Sequence, residues 1–168
     1  MSVIYLVGFM GVGKTTVGLE LAEKLHYSFY DSDQTVVEQT GKSIAELFDE
    51  MGEAGFRELE QKALQSLPTE KCIIATGGGI ILKDENRKYM KETGHVIWLD
   101  ASPAEISKRL EADSSRPLLS KNKNEQIERL YASRADLYKQ AADFHIETEG
   151  KTVTEIINEI LLKELKNS

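Results

Sequence analysis

Eight residues near the start of the chain constrain its fold more than any other feature. Residues 8–15 read GFMGVGKT and fit the spacing G-x-x-x-x-G-K-[ST] at every fixed position. The apolar residues 3–7 precede them, and residues 14–25 carry apolar side chains at helical spacing. A glycine-rich loop between a strand and a helix can curl its backbone N–H groups around an anion. The sequence therefore predicts a strand, a phosphate-binding loop and a helix in succession.

The residue types of this loop favour a nucleotide that is bound together with a metal ion. The N-terminus of the following helix adds the positive end of its dipole. Lys14 supplies a point charge for the β- and γ-phosphates, and the Thr15 hydroxyl is a hard oxygen ligand for Mg²⁺. A glycine turn with an exposed lysine is the alternative, but it does not explain the strand–loop–helix context. The residues of this segment predicted to bind the nucleotide are Gly11, Val12, Gly13, Lys14, Thr15 and Thr16.

Short apolar runs alternate with amphipathic segments along the chain, which is typical of a parallel sheet covered by helices. We therefore expect an α/β fold with three layers, in which helices lie on both faces of the sheet. The predicted strands are residues 3–7, 28–30, 72–75, 95–99 and 144–146. The predicted helices are residues 14–25, 53–67, 125–142 and 154–165, and two more that open at capping boxes on Ser43 and Ser102.

Composition excludes several classes of protein. The 168 residues carry a formal net charge of −7, which would repel the phosphates of nucleic acids and of anionic membranes. The single cysteine, Cys72, excludes an intramolecular disulfide framework. No stretch approaches the roughly 20 apolar residues of a membrane span. We expect one domain over residues 1–168, in the cytoplasm, with neither a nucleic-acid nor a membrane partner.

Polar and glycine-rich segments follow the second and third predicted strands, at the edge where open α/β sheets bind ligands. Asp31 and Asp33 would repel a nucleotide unless they serve Mg²⁺ or a hydroxyl nucleophile; a helix cap is the alternative. Arg57 and Glu60 are three residues apart on a helix and can pair, as solvated surface residues also do. Residues 76–79 (TGGG) allow a ligand to approach the backbone closely, or form a flexible turn.

Two other features leave alternatives open. Residues 112–124 show almost no apolar period, and their length favours a functional loop. A mobile lid explains the RPLL sequence at residues 116–119, with Arg116 near the middle of the segment, better than a surface loop does. Asp100 ends the fourth strand and could be read as a magnesium ligand. It lies two residues before the helix cap at Ser102, so we favour a structural role.

Taken together, these segments have the order and spacing found in shikimate kinases. The chain resembles that family in the phosphate loop, in DSD at 31–33, FRELE at 56–60, GGG at 77–79, RPLL at 116–119 and RADLY at 134–138. The resemblance extends from the first strand to about Lys151. It implies a five-stranded parallel sheet of order 2-3-1-4-5, a shikimate-binding region over about residues 32–60, and a lid over residues 112–124. It also implies Mg²⁺-dependent transfer of the γ-phosphoryl of ATP to the 3-hydroxyl of shikimate, on the route to chorismate and the aromatic amino acids.

The resemblance also implies roles for individual residues. Asp33 would meet the substrate hydroxyls as a base, although an aspartate is a weak base for an alcohol and a loose transition state lets it orient the hydroxyl instead. Lys14 and Arg116 would act with it on the phosphates, and Asp31 and Thr15 would hold Mg²⁺. The groups implied to bind shikimate are Asp33, Phe48, Phe56, Arg57, Glu60, Gly77, Gly78, Gly79 and Arg134. Those implied to bind ATP, beyond the phosphate loop, are Arg109, Arg116 and Lys151.

Other functions share part of this pattern. A gluconate kinase or another small-molecule kinase of the same fold is the runner-up, and a nucleotide-binding module without catalysis is a third possibility. We expect a monomer. The proposed site gathers six basic residues, Lys14, Arg57, Arg109, Arg116, Arg134 and Lys151, against three acidic ones, Asp31, Asp33 and Glu60. The sequence therefore predicts a basic cleft in an acidic shell.

Overall fold

A parallel sheet of five strands, in the order β2-β3-β1-β4-β5, forms the centre of the computed structural model. The structure describes residues 3–111 and 123–167. Arg116 and all but the last two residues of the predicted lid lie outside that range. The strands are β1 (Val3–Val7), β2 (Ser28–Asp31), β3 (Cys72–Ala75), β4 (His95–Asp100) and β5 (Phe144–Glu147). The helices are α1 (Lys14–Leu25), α2 (Ser32–Thr40), α3 (Ile44–Ser66), α4 (Asp84–Thr93), α5 (Pro103–Glu111), α6 (Lys123–Ala141) and α7 (Val153–Lys166).

The sheet order and the strand directions confirm the predicted fold class. Every strand pairing is parallel, and β1 lies between β3 and β4 in the middle of the sheet. All residues of β1 and β3 are buried, as expected for strands covered on both faces. Alternate residues of β1 point to opposite faces: Leu6 packs into one core and Tyr5 into the other. Helices therefore have to cover both faces of the sheet.

Helix starts follow local hydrogen bonding where the sequence predicted it. The Ser43 hydroxyl accepts a hydrogen bond from the Glu46 N–H at 3.1 Å, and the Ser102 hydroxyl accepts one from the Glu105 N–H at 3.2 Å. The expected break between the two middle helices is a kink at Gly52, where φ is 69° and ψ is −177°, within α3. A glycine adopts that backbone without strain. The kink lets the two halves of α3 turn towards the same cavity.

Two helices were missed by the sequence prediction. Helix α2 begins directly at the end of β2 and is capped by the preceding Asp31, whose carboxylate accepts from two backbone N–H groups. Helix α4 buries only Asn86 and Met90, and few of its residues are apolar, so its sequence carries only a weak helix signal. In the described ranges, no helix is long and apolar enough to cross a bilayer.

The carboxyl ends of β1, β2 and β3 meet at one edge of the sheet, because neighbouring parallel strands point the same way. Residues 8–13 follow β1, Ser32 follows β2, and residues 76–79 follow β3. Two hydrogen bonds tie the turn after β3 to its neighbours. The Leu6 carbonyl in β1 accepts from the Thr76 N–H at 3.1 Å, and the Ser32 hydroxyl accepts from the Gly77 N–H at 3.1 Å. This edge carries the cavities described below.

Candidate functional site

The predicted phosphate loop surrounds a cavity of about 320 Å³. Gly11 and Gly13 have φ values of 83° and 93°, a conformation that side chains with a Cβ rarely adopt. Helix α1 begins at Lys14, whose ammonium group donates to the carbonyls of Gly8 at 2.6 Å and Phe9 at 3.0 Å. The cavity is lined by Met10, Gly11, Gly13, Lys14, Thr15, Thr16, Asp31, Asp33, Ala75, Thr76, Gly77, Gly78, Arg109 and Leu110. Of the predicted loop residues, only Val12 is missing from the lining, because its side chain is buried in the core.

The structure separates Arg109 from Lys151, two of the basic residues that the resemblance implied would bind ATP. Arg109 lies in the wall of the phosphate cavity, where its Nη1 is 3.4 Å from the Val12 carbonyl oxygen and 3.2 Å from the Thr148 hydroxyl. Lys151 is not part of the lining and pairs instead with Glu159 at 2.7 Å. The structure therefore brings Arg109, but not Lys151, to the described cavity.

Two oxygen ligands suited to Mg²⁺ lie together at the edge of the phosphate cavity. The Thr15 hydroxyl is 3.5 Å from Asp31 Oδ2, while Asp31 Oδ1 accepts from the N–H groups that begin α2. One carboxylate oxygen therefore caps the helix and the other faces the threonine. In the described part of the chain, no group of three or more His, Cys, Asp or Glu could hold a metal ion. A single carboxylate and a hydroxyl fit Mg²⁺, which takes few protein ligands beside water and substrate phosphates.

Asp100 has two side-chain partners of its own. Its carboxylate accepts from the Tyr131 hydroxyl at 2.7 Å and contacts His145 Nε2 at 2.8 Å. It lines neither the phosphate cavity nor the larger cavity beside it. These contacts support the structural role that the sequence favoured.

A larger cavity, of about 680 Å³, opens beside the phosphate cavity. We call it the acceptor cavity. Its lining combines residues from the loop after β1, α2, both halves of α3, the turn after β3, and α6: Met10, Asp33, Ile44, Phe48, Glu53, Phe56, Arg57, Glu60, Gly77, Gly78, Gly79, Gln126, Arg129, Leu130, Ser133 and Arg134. Every residue that the resemblance assigned to shikimate is among them. The two cavities share Met10, Asp33, Gly77 and Gly78.

Arg57 is held in the acceptor cavity from several sides. Its Nη1 is 3.0 Å from one carboxylate oxygen of Glu60 and 3.1 Å from the other. Its guanidinium lies 5.3 Å from the ring centre of Phe56 and 5.9 Å from that of Phe48, within cation–π range. The two rings are themselves 4.6 Å apart, because the kink at Gly52 brings the halves of α3 together. Glu60 is buried and the Arg57 side chain is 13% exposed, so the pair belongs to the cavity wall and is not a solvated surface pair.

Burial controls the ionisation of Glu60. Its side chain is 1% exposed, and this loss of water raises the pKa of the Glu60 carboxyl above the ordinary glutamate value. The nearby Arg57 guanidinium opposes that rise in pKa, and the Asp33 carboxylate adds to it. The charge on Glu60 thus depends on the positions of the other charged groups in the cavity.

Besides ligand access, contacts with the protein's own side chains explain why glycines occupy positions 77 and 79. A Cβ on Gly77 would lie 2.6 Å from Asp33 Oδ1, and one on Gly79 would lie 2.5 Å from the guanidinium carbon of Arg57. A Cβ on Gly78 would lie 3.4 Å from Arg134 Nη1. From the sequence, a close ligand or a flexible turn accounted for these glycines. At Gly77 and Gly79, the protein's own charged side chains occupy the space where a Cβ would be, whereas at Gly78 a Cβ would make an ordinary contact.

Ser32 and Tyr138 belong to the sequence motifs, but the sequence predicted no role for either. The buried Ser32 hydroxyl accepts a hydrogen bond from the Gly77 N–H, and the hydroxyl of the buried Tyr138 donates one to the Gly78 carbonyl at 2.6 Å. Tyr138 lies four residues after Arg134, so both lie on one face of α6, and that spacing could have pointed to it. Nothing local distinguishes Ser32 from an ordinary first residue of a helix.

The described cavities hold a smaller excess of basic over acidic side chains than the sequence predicted. Both cavities together are lined by five basic side chains and four acidic ones. The basic ones are Lys14, Arg57, Arg109, Arg129 and Arg134, and the acidic ones are Asp31, Asp33, Glu53 and Glu60. Lys151 is absent, Arg129 and Glu53 were not expected, and Arg116 lies outside the described residues. Basic side chains nonetheless outnumber acidic ones in the described lining, whereas the chain as a whole has a formal net charge of −7.

Comparisons with known proteins identify the family to which this chain is similar. The shikimate kinase family model matches residues 10–164. A shikimate kinase of Persephonella marina is 47% identical over 159 residues, which cover 94% of this chain and 96% of that protein. One from Bacillus anthracis is 44% identical over 160 residues, covering 95% of this chain and 96% of that protein.

A solved structure agrees with the sequence comparisons. The shikimate kinase from Acinetobacter baumannii in complex with shikimate superposes with a TM-score of 0.93 at 38% identity, covering 100% of this chain and 95% of that one. The similarity is therefore one of sequence and of fold along nearly the whole chain. This chain belongs to the shikimate kinase family.

Proposed function

We propose that this protein is an ATP-dependent kinase that phosphorylates the 3-hydroxyl of shikimate. The observation that carries the proposal is the junction of the two cavities: Asp33 lines both the phosphate cavity and the acceptor cavity. A carboxylate in that place can meet a hydroxyl group on one side while the phosphate chain lies on the other. Membership of the shikimate kinase family supports the identity of the substrate.

The acceptor cavity has the chemistry that shikimate needs. Shikimate carries a carboxylate and three hydroxyls on an unsaturated ring. Arg57 and Arg134 supply forked, permanently charged donors for the carboxylate, and both line the cavity. Phe48 and Phe56 supply an apolar wall for the ring. Asp33 then remains for the hydroxyls, at the end of the cavity that adjoins the phosphates.

The chain's own residues would act mainly by alignment. Asp33 would hold the 3-hydroxyl in line with the γ-phosphorus and accept its proton late, because phosphoryl transfer passes through a loose transition state. Lys14 and the backbone N–H groups of residues 11–15 would hold the phosphates and balance the charge that develops on them. Mg²⁺, held through Thr15 and Asp31, would supply further positive charge beside the phosphates when bound. The expected contribution of Arg116 remains part of this proposal.

Several finer points remain predictions within the proposal. The Mg²⁺ requirement is supported by the fit of Thr15 and Asp31. The single domain, the monomeric state and the cytoplasmic location are expectations from the sequence. Light scattering would test the oligomeric state, and cell fractionation would test the location.

Side-by-side kinase assays test the proposed function. Purified protein with ATP and Mg²⁺ is given shikimate, gluconate or a nucleoside monophosphate, and both ADP and the phosphorylated product are measured. We expect ADP release and shikimate 3-phosphate with shikimate alone, and no turnover when Mg²⁺ is removed by a chelator. Turnover of gluconate only would favour the other small-molecule kinases, and ATP binding without any turnover would indicate a non-catalytic module.

A further inference from the structure

Tyr138 lies behind the acceptor cavity and does not line it. Its side chain is fully buried, and its hydroxyl donates to the Gly78 carbonyl at 2.6 Å. The ring stacks on Trp98 with ring centres 5.8 Å apart and planes 24° apart, which fixes the direction of the hydroxyl. Burial raises the pKa of the Tyr138 phenol to about 12, although the nearby Arg134 guanidinium opposes this. The phenol therefore stays protonated, and a donor, at any physiological pH.

The hydrogen bond to Gly78 fixes a peptide plane and not only an oxygen atom. A trans peptide is planar, so the Gly79 N–H points to the side opposite the Gly78 carbonyl. Because that carbonyl faces the buried Tyr138, the N–H faces away from it. Gly78 and Gly79 both line the acceptor cavity. With Tyr138 outside the cavity, the Gly79 N–H lies on the other side of the peptide, where it can serve as a donor to a ligand in the cavity.

This peptide lies between the two arginines of the cavity. The missing Cβ of Gly79 would be 2.5 Å from the Arg57 guanidinium, and that of Gly78 would be 3.4 Å from Arg134 Nη1. Arg134 and Tyr138 are one helical turn apart on α6, so the same rigid helix sets the arginine and the tyrosine. A carboxylate bound by both guanidinium groups would also lie against the Gly78–Gly79 peptide.

We propose that Tyr138 is a positioning residue for the acceptor's carboxylate. It holds the Gly78–Gly79 peptide, and Arg134 beside it, in the geometry that binds this anion. The inference rests on the proposed function, since it takes the acceptor to be an acid bound between Arg57 and Arg134. It adds a residue that lines neither cavity and that controls affinity for the acceptor through the Gly79 end of the peptide, since Gly79 lines the acceptor cavity and not the phosphate cavity.

Tyr138→Phe is the test, because it removes one oxygen atom and keeps the ring. Tyr5→Phe is the matched control: Tyr5 is also fully buried, and its hydroxyl shares a hydrogen bond of 2.7 Å with Thr93, but it lines neither cavity. Unfolding by denaturant, followed by the fluorescence of Trp98, gives the stability of both variants. All assays are run well below the unfolding transition of the less stable variant.

We expect Tyr138→Phe to raise the KM for shikimate about 5- to 10-fold, the effect of one hydrogen bond, with kcat and the KM for ATP changed less than about 2-fold. Calorimetric titration with shikimate, without nucleotide, should show the same loss of affinity. Tyr5→Phe should lose similar stability with no change in either KM. With the carboxamide of shikimate, which lacks the negative charge, the ratio of kcat/KM between wild type and Tyr138→Phe should fall towards 1.

Different results would overturn different statements. An unchanged KM for shikimate in Tyr138→Phe, an equal rise in Tyr5→Phe, or an undiminished ratio with the carboxamide would refute the role of Tyr138. If the wild-type protein fails to phosphorylate shikimate at all, the proposed function fails first. The wild-type assay separates the two cases.

Discussion

The two cavities of this molecule are built in different ways. The phosphate cavity takes its largest share, six of fourteen lining residues, from one continuous segment, residues 10–16, whose glycines and helix start offer backbone groups to a ligand; three other parts of the chain supply the rest. The acceptor cavity takes its walls from five separate parts of the chain and binds mainly through side chains. Backbone N–H groups need only the correct local conformation, whereas side chains need partners that hold them in place. Substitutions should therefore affect the two cavities independently, except where the walls are shared.

Asp33 lies at the shared wall and should give the largest effect. Asp33→Asn keeps the shape but removes the negative charge that we propose orients the hydroxyl and accepts its proton. We expect kcat to fall about 100-fold or more, with the KM for ATP within about 3-fold of wild type. Steady-state kinetics measure both values. Asp49→Asn, an exposed aspartate of α3, is the control and should leave both unchanged. An equal loss of ATP affinity in Asp33→Asn would assign Asp33 to the metal or to the fold instead.

Gly79→Ala should break the acceptor cavity alone. Its φ of −95° accepts an alanine, but the new Cβ would lie 2.5 Å from the Arg57 guanidinium and would displace it. Losing a charge-assisted hydrogen bond predicts a rise of about 10- to 100-fold in the KM for shikimate. Gly78→Ala, with its nearest atom at 3.4 Å, should raise that KM less. Should the two variants behave alike, the contact with Arg57 would not be the reason for the glycine.

Asp31→Asn should affect the phosphate cavity alone. Asparagine caps helices as well as aspartate does, so α2 should remain intact while the negative charge beside Thr15 is lost. We expect the Mg²⁺ concentration for half-maximal activity to rise about 10-fold or more, as for residues that hold a metal through water. A Mg²⁺ titration at saturating ATP and shikimate measures this. The KM for shikimate should stay constant, and a rise in it would contradict the separation of the two cavities.

Glu60 should give a smaller, pH-dependent effect on the acceptor side. Because its pKa is raised by burial, Glu60 takes up a proton at a higher pH than an ordinary glutamate as the solution is acidified. Arg57 then keeps only the more distant and exposed Glu53 as a charged partner, so the KM for shikimate should rise a few-fold while the KM for ATP does not. Glu60→Gln should have a higher KM at neutral pH and lack this dependence on pH. A wild-type profile identical to that of Glu60→Gln would show that another group titrates.

The same pKa shift determines how Glu60 affects stability. A carboxyl whose pKa is higher in the folded state stabilises the fold most when it is protonated. Its contribution to the free energy of unfolding is complete below the ordinary glutamate pKa and is lost as the pH rises through the folded value. Denaturation at several pH values, compared with Glu60→Gln, isolates that contribution.

Much of the fold could be predicted because it depends on local patterns. All five strands lie within one residue of their predicted bounds, since buried parallel strands read as continuous apolar runs. Helix α1 was predicted with its observed bounds for a similar reason. Helix α2 was missed because it presents no continuous apolar stripe, and helix α4 because few of its residues are apolar. The position of α2 depends on the end of β2 directly before it, and that of α4 depends on packing.

The sequence by itself determined the phosphate loop and the α/β class, because motif spacing and apolar patterns act locally, and its resemblance to a family named residues that do line the acceptor cavity. Only the tertiary structure decided how those residues work together. It buried Glu60 in the wall of the acceptor cavity, set Tyr138 behind the glycine triplet, and paired Lys151 with Glu159 outside both cavities. The pairing of Arg57 with Glu60 is local to α3, but the burial of Glu60 and the contact of Tyr138 with Gly78 depend on how the sheet and helices pack, which no local pattern encodes.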